Sequence, residues 1–580
     1  MPKGTSLNSR DTWVHKFPKD HILVPTPKLL LSSIVMASVL CAFATNKPTK
    51  NEEVTFTARS ELVLVPVLVT DRSGAHVSGL KKEDFTVYED GAPRQIATFE
   101  EITSNNQRLV RPSNPREFSN ALGGSASEQR ITLIVLDFLN TPFLDQQRGR
   151  QELLKYLMES VDEREPTGLL VLTSSGLQVI HDFTTDPLVL VGALHRVASD
   201  AGTKWKMSEE LQAKAAADDL AQVGRQNDIQ SEVDKLEIIA ARGELNLQRF
   251  QERLAITITL QAMQQVAQAM RGFSGRKALI WVSGGFPFDI NEKFNIAGGD
   301  ADLNDSYERT FQLLEDAQVA IYPVDDKGLQ ANSADAAVAH LGAGPGDNVR
   351  AGNWARMDTE ATFQTFATAT GGRAYFNSND LVKGFRDAVR DSSQYYLLGY
   401  YLDHTNAKPA WRKLAVKVKQ KHVEVRSRSG FFVTNATVNP ANSRDADMAA
   451  ALYSPLDCTA LKLVARWETT EPVKQPGKKR VVYLLDLAAD PSVVDLTDNN
   501  HLRLDFLAIA ISPEGKAVGQ PEGKVVDLHL TSETLAELRE KGLSYRGSVE
   551  LSPGQYNVRI VVRDSLTGKM GSVSAPLTVH

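Results

Sequence analysis

The sequence predicts a multidomain protein. A central α/β doubly wound domain with a helical insertion is flanked by a small N-terminal β unit and a C-terminal β-sandwich. Three observations lead there. Ile131–Thr141 (ITLIVLDFLNT) opens on an aliphatic run broken only by Thr132, which suits a strand buried on both faces of a parallel sheet. From that point strand-like and helix-like stretches alternate, as βα units do. From residue 457 onward, short strand-like runs recur at regular spacing between turns such as Ser512-Pro513-Glu514-Gly515, the pattern of a sandwich.

The 580 residues exceed what one hydrophobic core holds, so several domains are expected. Hydrophobic residues at 42% and charged residues at 23% exclude a disordered chain. A net charge of −6 is too mild to argue for nucleic acid as a partner. Lys16, Lys19 and Lys28 precede the apolar run Leu29–Ala44, which ends in Ala42-Phe43-Ala44. That is the layout of a signal peptide over residues 1–44. The expected location is therefore secreted, periplasmic or cell-envelope. A membrane enters only if this segment is retained as an anchor. Cleavage removes Cys41 and leaves Cys458 alone, which excludes an intrachain disulfide and a cysteine zinc site. Cys458 itself reads as a small buried apolar residue.

Residues 45–54 read as a polar tether. The small β domain, 55–104, takes strands from Glu61–Val69, Phe85–Tyr88 and Ile96–Phe99, and the Ser-, Asn- and Pro-rich stretch 105–129 follows as a linker. The α/β domain spans 130–435. After Ile131–Leu136 comes a helix over Thr141–Val161, with Thr141 as cap and Pro142 in its first turn. Gly168–Leu172 and Leu177–Phe183 form a hairpin, and Asp186-Pro187 opens a helix through Val197. Trp205–Arg271 lacks strand signals and reads as two long helices breaking near Gly243, so 205–271 is the helical insertion. Strand Lys277–Val282 ends at Ser283-Gly284-Gly285. Helix Ser306–Asp316 leads to strand Ala317–Val324, which ends at Asp325-Asp326. A helix over Thr359–Thr370, a short strand at Ala374–Phe376, a helix over Asp380–Asp391 and strand Tyr395–Leu402 follow. Leu414–Val418 and His422–Arg428 alternate apolar and charged residues and read as a half-buried hairpin. A polar linker, 436–456, leads into the sandwich, 457–580.

Several of these stretches resemble a known family. They are Val67–Gly91 (VLVTDRSGAHVSGLKKEDFTVYEDG), LIVLDFLNT, KALIWVSGGFPF, AIYPVDDKGL, ATGGRAYFNSNDL and YYLLGYYL. Together, over about residues 55–435, they resemble the von Willebrand factor A superfamily, and more narrowly the VWFA-related domain proteins of the acidobacterial type. The resemblance implies that the central domain is von Willebrand A-like and places a metal site at the carboxyl ends of its strands. In that family the site takes an Asp-x-Ser-x-Ser motif, a Thr from a second loop and an Asp from a third. Here Asp137 and Thr141 match the first motif, while Leu139 cannot ligate. The second-loop residue would be Thr203. The third loop reads Ser283-Gly284-Gly285 and lacks its Asp. The implied metal set is thus Asp137, Thr141 and Thr203, a degenerate one. No cofactor is certain, and the ion such oxygens suit is Mg2+. The implied ligand surface is Asp137, Asn140, Thr141, Thr203 and Ser283.

Other motifs point nowhere. Asp300-x-Asp302-x-Asn304 starts like a calcium loop, but Asp305 stands where glycine is needed and Phe311 where glutamate is needed. Gly272-Phe273-Ser274-Gly275 is neither a phosphate loop nor a nucleophile elbow. His181 and Asp182 are adjacent in a strand, so their side chains leave on opposite faces. No nucleophile–base pair stands out. The expectation is an exported, non-catalytic interaction or adhesion protein that binds a protein or a surface polymer. The alternatives are a cell-envelope hydrolase and an assembly scaffold that docks a partner through its helical insertion.

Overall fold

The computed structural model describes residues 62–103, 116–121, 131–141, 143–159, 165–200, 230–288, 290, 301–326, 360–376, 381–402, 410–433, 440–473, 477–496 and 498–580. The expected signal segment, Thr203 and the first part of the expected insertion lie outside these residues.

Thr132–Asp137 is the middle strand of a five-stranded sheet ordered Val319–Asp325, Lys277–Ser283, Thr132–Asp137, Thr167–Thr173 and Gly176–Thr184. The first four run parallel and the last is antiparallel to its neighbour. Strand alternation sends Leu133, Val135, Trp281 and Ile321 to one face, against Leu260, Met263 and Val266 of helix Gln230–Met270 and Phe311 of helix Ala301–Asp316. Ile134, Leu136, Ile280 and Tyr322 go to the other face. There they meet Tyr156 of helix Phe143–Glu159, Leu194 of helix Pro187–Asp200 and Phe385 of helix Leu381–Ser393.

The expected fold class is corrected. Among the described residues strands dominate: there are five sheets, and the other four are built from antiparallel pairs throughout. The sheet with parallel strands is mixed. The chain is mostly β and is not organised around a doubly wound α/β domain with β accessories. The sequence signal misleads for a physical reason. Apolar runs mark which residues are strands but not which strands pair, and pairing decides the class.

The small N-terminal β unit is corrected with it. Leu62–Thr70 pairs with Gln394–Tyr401 and with Glu424–Arg426, and Phe85–Glu89 pairs with Ala410–Val418. Two four-stranded sheets made from both ends of the 62–433 stretch face each other across Val65, Val67, Val87, Tyr396, Leu398, Tyr400 and Phe431. A run of about 50 residues is near the lower limit for a core of its own, and here it shares one with residues far along the chain. The expected hairpin of Leu414–Val418 with His422–Arg428 does not form, because Ala410–Val418 and Glu424–Arg426 belong to different sheets.

The expected insertion differs too. Gln230–Met270 is one helix that runs through Gly243. Its last four turns are core: Leu260, Met263, Val266, Ala267 and Met270 are buried under the mixed sheet. The expected linkers carry structure as well. Glu117–Ser119 pairs with Leu463–Pro472, and Pro440–Tyr453 is a helix. From Leu463 the chain forms two antiparallel sheets around Leu485, Leu504, Phe506, Ile560 and Val562.

Candidate functional site

Strands Thr132–Asp137, Lys277–Ser283 and Val319–Asp325 end side by side, so their last residues share one rim. Asp137 closes the first strand and is 1% exposed. The bend after it returns Asn140, whose backbone N–H donates to Asp137 Oδ1 at 2.9 Å and whose side-chain amide donates to Oδ2 at 2.8 Å. Two groups arrive from the neighbouring strand: Trp281 Nε1–H donates to Oδ2 at 3.0 Å, and the Ser283 hydroxyl, 2.9 Å from Oδ2, shares its one proton with the Gly285 carbonyl at 2.6 Å. Burial pushes the Asp137 carboxyl above its usual range, and the bonds from Asn140, Trp281 and Ser283 oppose that.

Thr141 is buried and its hydroxyl accepts from the backbone N–H of Gly284 at 2.7 Å. The Asn140 amide reaches Thr259 Oγ1 at 2.9 Å, which ties the bend to the 230–270 helix. The structure therefore brings together Asp137, Asn140, Thr141 and Ser283. Thr203 lies outside the described residues.

Sequence reasoning missed Asp326. It is 2% exposed and one of its oxygens, Oδ1, has no hydrogen-bond partner. Gly149 leaves room for it: a Cβ there would stand 3.0 Å from Asp326 Cβ. Burial, then repulsion from Asp325 and Asp145, pushes its carboxyl up to about 8; the Thr141 hydroxyl opposes this and Asp137 adds to it. Asp326 thus keeps a proton at neutral pH. The signal was available, since Asp325-Asp326 ends a strand just as Asp137 does.

Asp137 and Thr141, as the structure places them, do not fit a divalent cation. Asp137 accepts from the Asn140 backbone N–H at Oδ1 and from the Asn140 amide and the Trp281 indole at Oδ2, where the Ser283 hydroxyl also lies at 2.9 Å; two of these donors are fixed in the backbone and the indole. Thr141 is likewise taken by Gly284. The remaining sequence candidates carry no chemistry. Asp302 and Asn304 lie within a helix, not a loop. His181 Nδ1 bonds the backbone carbonyl of Asp182. Cys458 is buried and its thiol is pushed up to about 11 by that burial, which makes it a poor nucleophile.

No family model and no curated protein matches the chain. Among solved structures it is similar to beta-glucosidase 3B from Thermotoga neapolitana in complex with alpha-D-glucose, at 9% identity over 55% of this chain and 40% of that one, with a TM-score of 0.11. The chain spans about two fifths of that protein, and a likeness so slight carries no argument about fold or activity.

Proposed function

We propose that the chain is an exported, non-catalytic binding protein, of the VWFA-related kind its motifs resemble. It grips another protein or a surface polymer at the rim around residues 137–141 and 283–286. The observation that supports this best is the use made of Asp137. A carboxylate that works as an acid, a base or a nucleophile needs a lone pair or a proton to exchange with substrate. This one is held by the Asn140 backbone and side-chain N–H groups and the Trp281 indole, with the Ser283 hydroxyl beside it. Loops tied in this way lose little freedom when a partner lands, which favours binding. Half-buried Phe138 and Asn140 are the rim residues that reach the surface.

The test uses immobilised mature chain and a solubilised envelope fraction from the source cell, with bound protein and polysaccharide identified by mass spectrometry and sugar analysis. The expected result is a specific partner, captured at least tenfold less by Phe138→Glu. Turnover of generic ester, peptide or glycoside substrates, lost in a rim variant, would overturn the reading.

A further inference from the structure

A second polar constellation lies on the outer face of the C-terminal sheets. Strands His501–Ile511 and Ala517–His529 are antiparallel and place His501 directly opposite His529. The two rings stack, 4.6 Å between centroids and 6° from parallel. Their inward neighbours Leu502, Leu504 and Val526 are core, so both histidines stand on the side away from it.

A tight turn brings in a third group. The His501 N–H donates to the Asp498 carbonyl at 3.0 Å, and the two residues between, Asn499 and Asn500, both have positive φ, 49° and 56°. That is the type I′ signature, which asparagine tolerates better than other residues with a side chain. Asn500 is bolted to the end of the neighbouring strand through Leu530 at 3.1 and 3.2 Å. The turn therefore holds the Asp498 carboxylate over His501, with Oδ2 3.1 Å from Nδ1. One ligand atom each from Asp498, His501 and His529 lie within 4.8 Å of one another.

We propose that Asp498, His501 and His529 form a binding site for a divalent transition-metal ion of the zinc class, with Asp527 as its supporting carboxylate. Two imidazoles and one carboxylate suit zinc, copper or nickel better than magnesium or calcium, which take oxygen ligands. Zinc–nitrogen and zinc–oxygen bonds of about 2.0–2.2 Å set tetrahedral ligand atoms about 3.3 Å apart, so the Asp498–His501 spacing needs almost no adjustment, whereas the exposed His529 ring, now parallel to that of His501, must turn to aim a nitrogen lone pair at the same ion. Asp527 Oδ1 accepts from His501 Nε2 at 2.7 Å. With the proton held on Nε2, the Nδ1 lone pair faces Asp498, the arrangement in which a carboxylate behind a histidine orients it toward a metal. The other oxygen of Asp527 lies 3.6 Å from Arg503 Nη1, which keeps this group an acceptor. Asp498 and His529 are exposed, so a fourth position is open to water or to an incoming ligand atom.

The experiment is a titration of the full-length, metal-stripped protein with Zn2+ in competition with a chromophoric chelator. The expected result is a single equivalent bound at this site, weakened at least about 100-fold by His529→Ala and by Asp498→Asn, and 10–100-fold by Asp527→Asn. Co2+ in place of Zn2+ should give the strong visible absorption of a four-coordinate ion, lost in the same variants. His529 is exposed, so His529→Ala should unfold, free of metal, at the same temperature as the parent. Absence of Zn2+ binding, or binding that His529→Ala and Asp498→Asn leave unchanged, would overturn the proposal.

Discussion

The indole N–H of Trp281 points along the sheet to Asp137 Oδ2, 3.0 Å away. Two adjacent strands are thereby joined by their side chains at the end where their backbone ladder stops. The bond makes Asp137 a cross-tie of the rim.

Asp137→Ala would take the acceptor from the buried Trp281 indole N–H and from the part-buried Asn140 backbone N–H, while the Ser283 hydroxyl keeps the Gly285 carbonyl at 2.6 Å. At about 1–3 kcal/mol for each unsatisfied group, and with partial relaxation, the expected loss is roughly 3–4 kcal/mol. Trp281→Phe removes one bond and some packing and should cost about 1–2 kcal/mol. Urea unfolding followed by near-UV circular dichroism measures both. Added Mg2+ should leave the melting temperature of the metal-free parent unchanged. A Mg2+-dependent rise that disappears in Asp137→Ala would show a working cation site instead.

Asp326 should make stability depend on pH. Its folded carboxyl titrates near 8, against about 3.9 when unfolded. Between those values the folded chain holds a proton that the unfolded chain lacks. Stability should therefore fall as pH rises from about 4 to about 8, by at most ~1.4 kcal/mol per pH unit. Lys277 acts oppositely and later: burial brings its ammonium down to about 7, so its contribution makes stability rise with pH above that. Asp326→Asn should flatten the slope between pH 5 and 7, read by chemical denaturation at fixed pH. An unchanged slope would contradict a buried protonated acid.

Gly272 has no room for a side chain. A Cβ there would fall 1.8 Å from the carbonyl oxygen of Thr459, whose hydroxyl accepts from Gly272 N–H at 2.8 Å and donates to Ala269 O at 2.6 Å. Gly272→Ala must therefore prise the end of the 230–270 helix away from the strands that follow Thr459. The expected cost is at least about 2–3 kcal/mol. Limited proteolysis around residues 455–460 should speed up in parallel, and a variant as stable and as resistant as the parent would refute the contact.

A fragment of residues 55–104 should not fold. Among the described residues its longest strand, Leu62–Thr70, takes its sheet partners from 394–401 and 424–426, and within the fragment it has just a short bridge at Thr70–His76. Circular dichroism of the fragment should show no cooperative melt, and adding residues 394–433 through a flexible linker should restore one. Cooperative melting of the fragment by itself would contradict the shared core.

What could be read from the residues was local. The aliphatic run at 132–137 is a buried strand and Asp137 stands at its end; the runs at 277–283 and 319–325 are strands as well. Their apolar continuity is a property of consecutive residues. Partner choice is not. Nothing in LVLVPVLV says that its mate is YYLLGYYL more than 300 residues on, because backbone hydrogen bonds are the same for every pair. The helix past Gly243 was hidden for a related reason: one glycine costs about 1 kcal/mol, too little to break a helix whose far end is buried. At the site, Asn140 and Ser283 were legible as strand-end polar residues. The donation from Trp281 was not, since a tryptophan in a strand reads simply as apolar.

The interleaving of residues 62–103 with 394–433 also sets an order of events during synthesis. The strand that leaves the ribosome first must wait for more than three hundred further residues before its hydrogen-bonding edges are met. Assembly of that sandwich is then a late step of high contact order, and the mixed sheet between its halves can form first and bring the two ends within reach of each other.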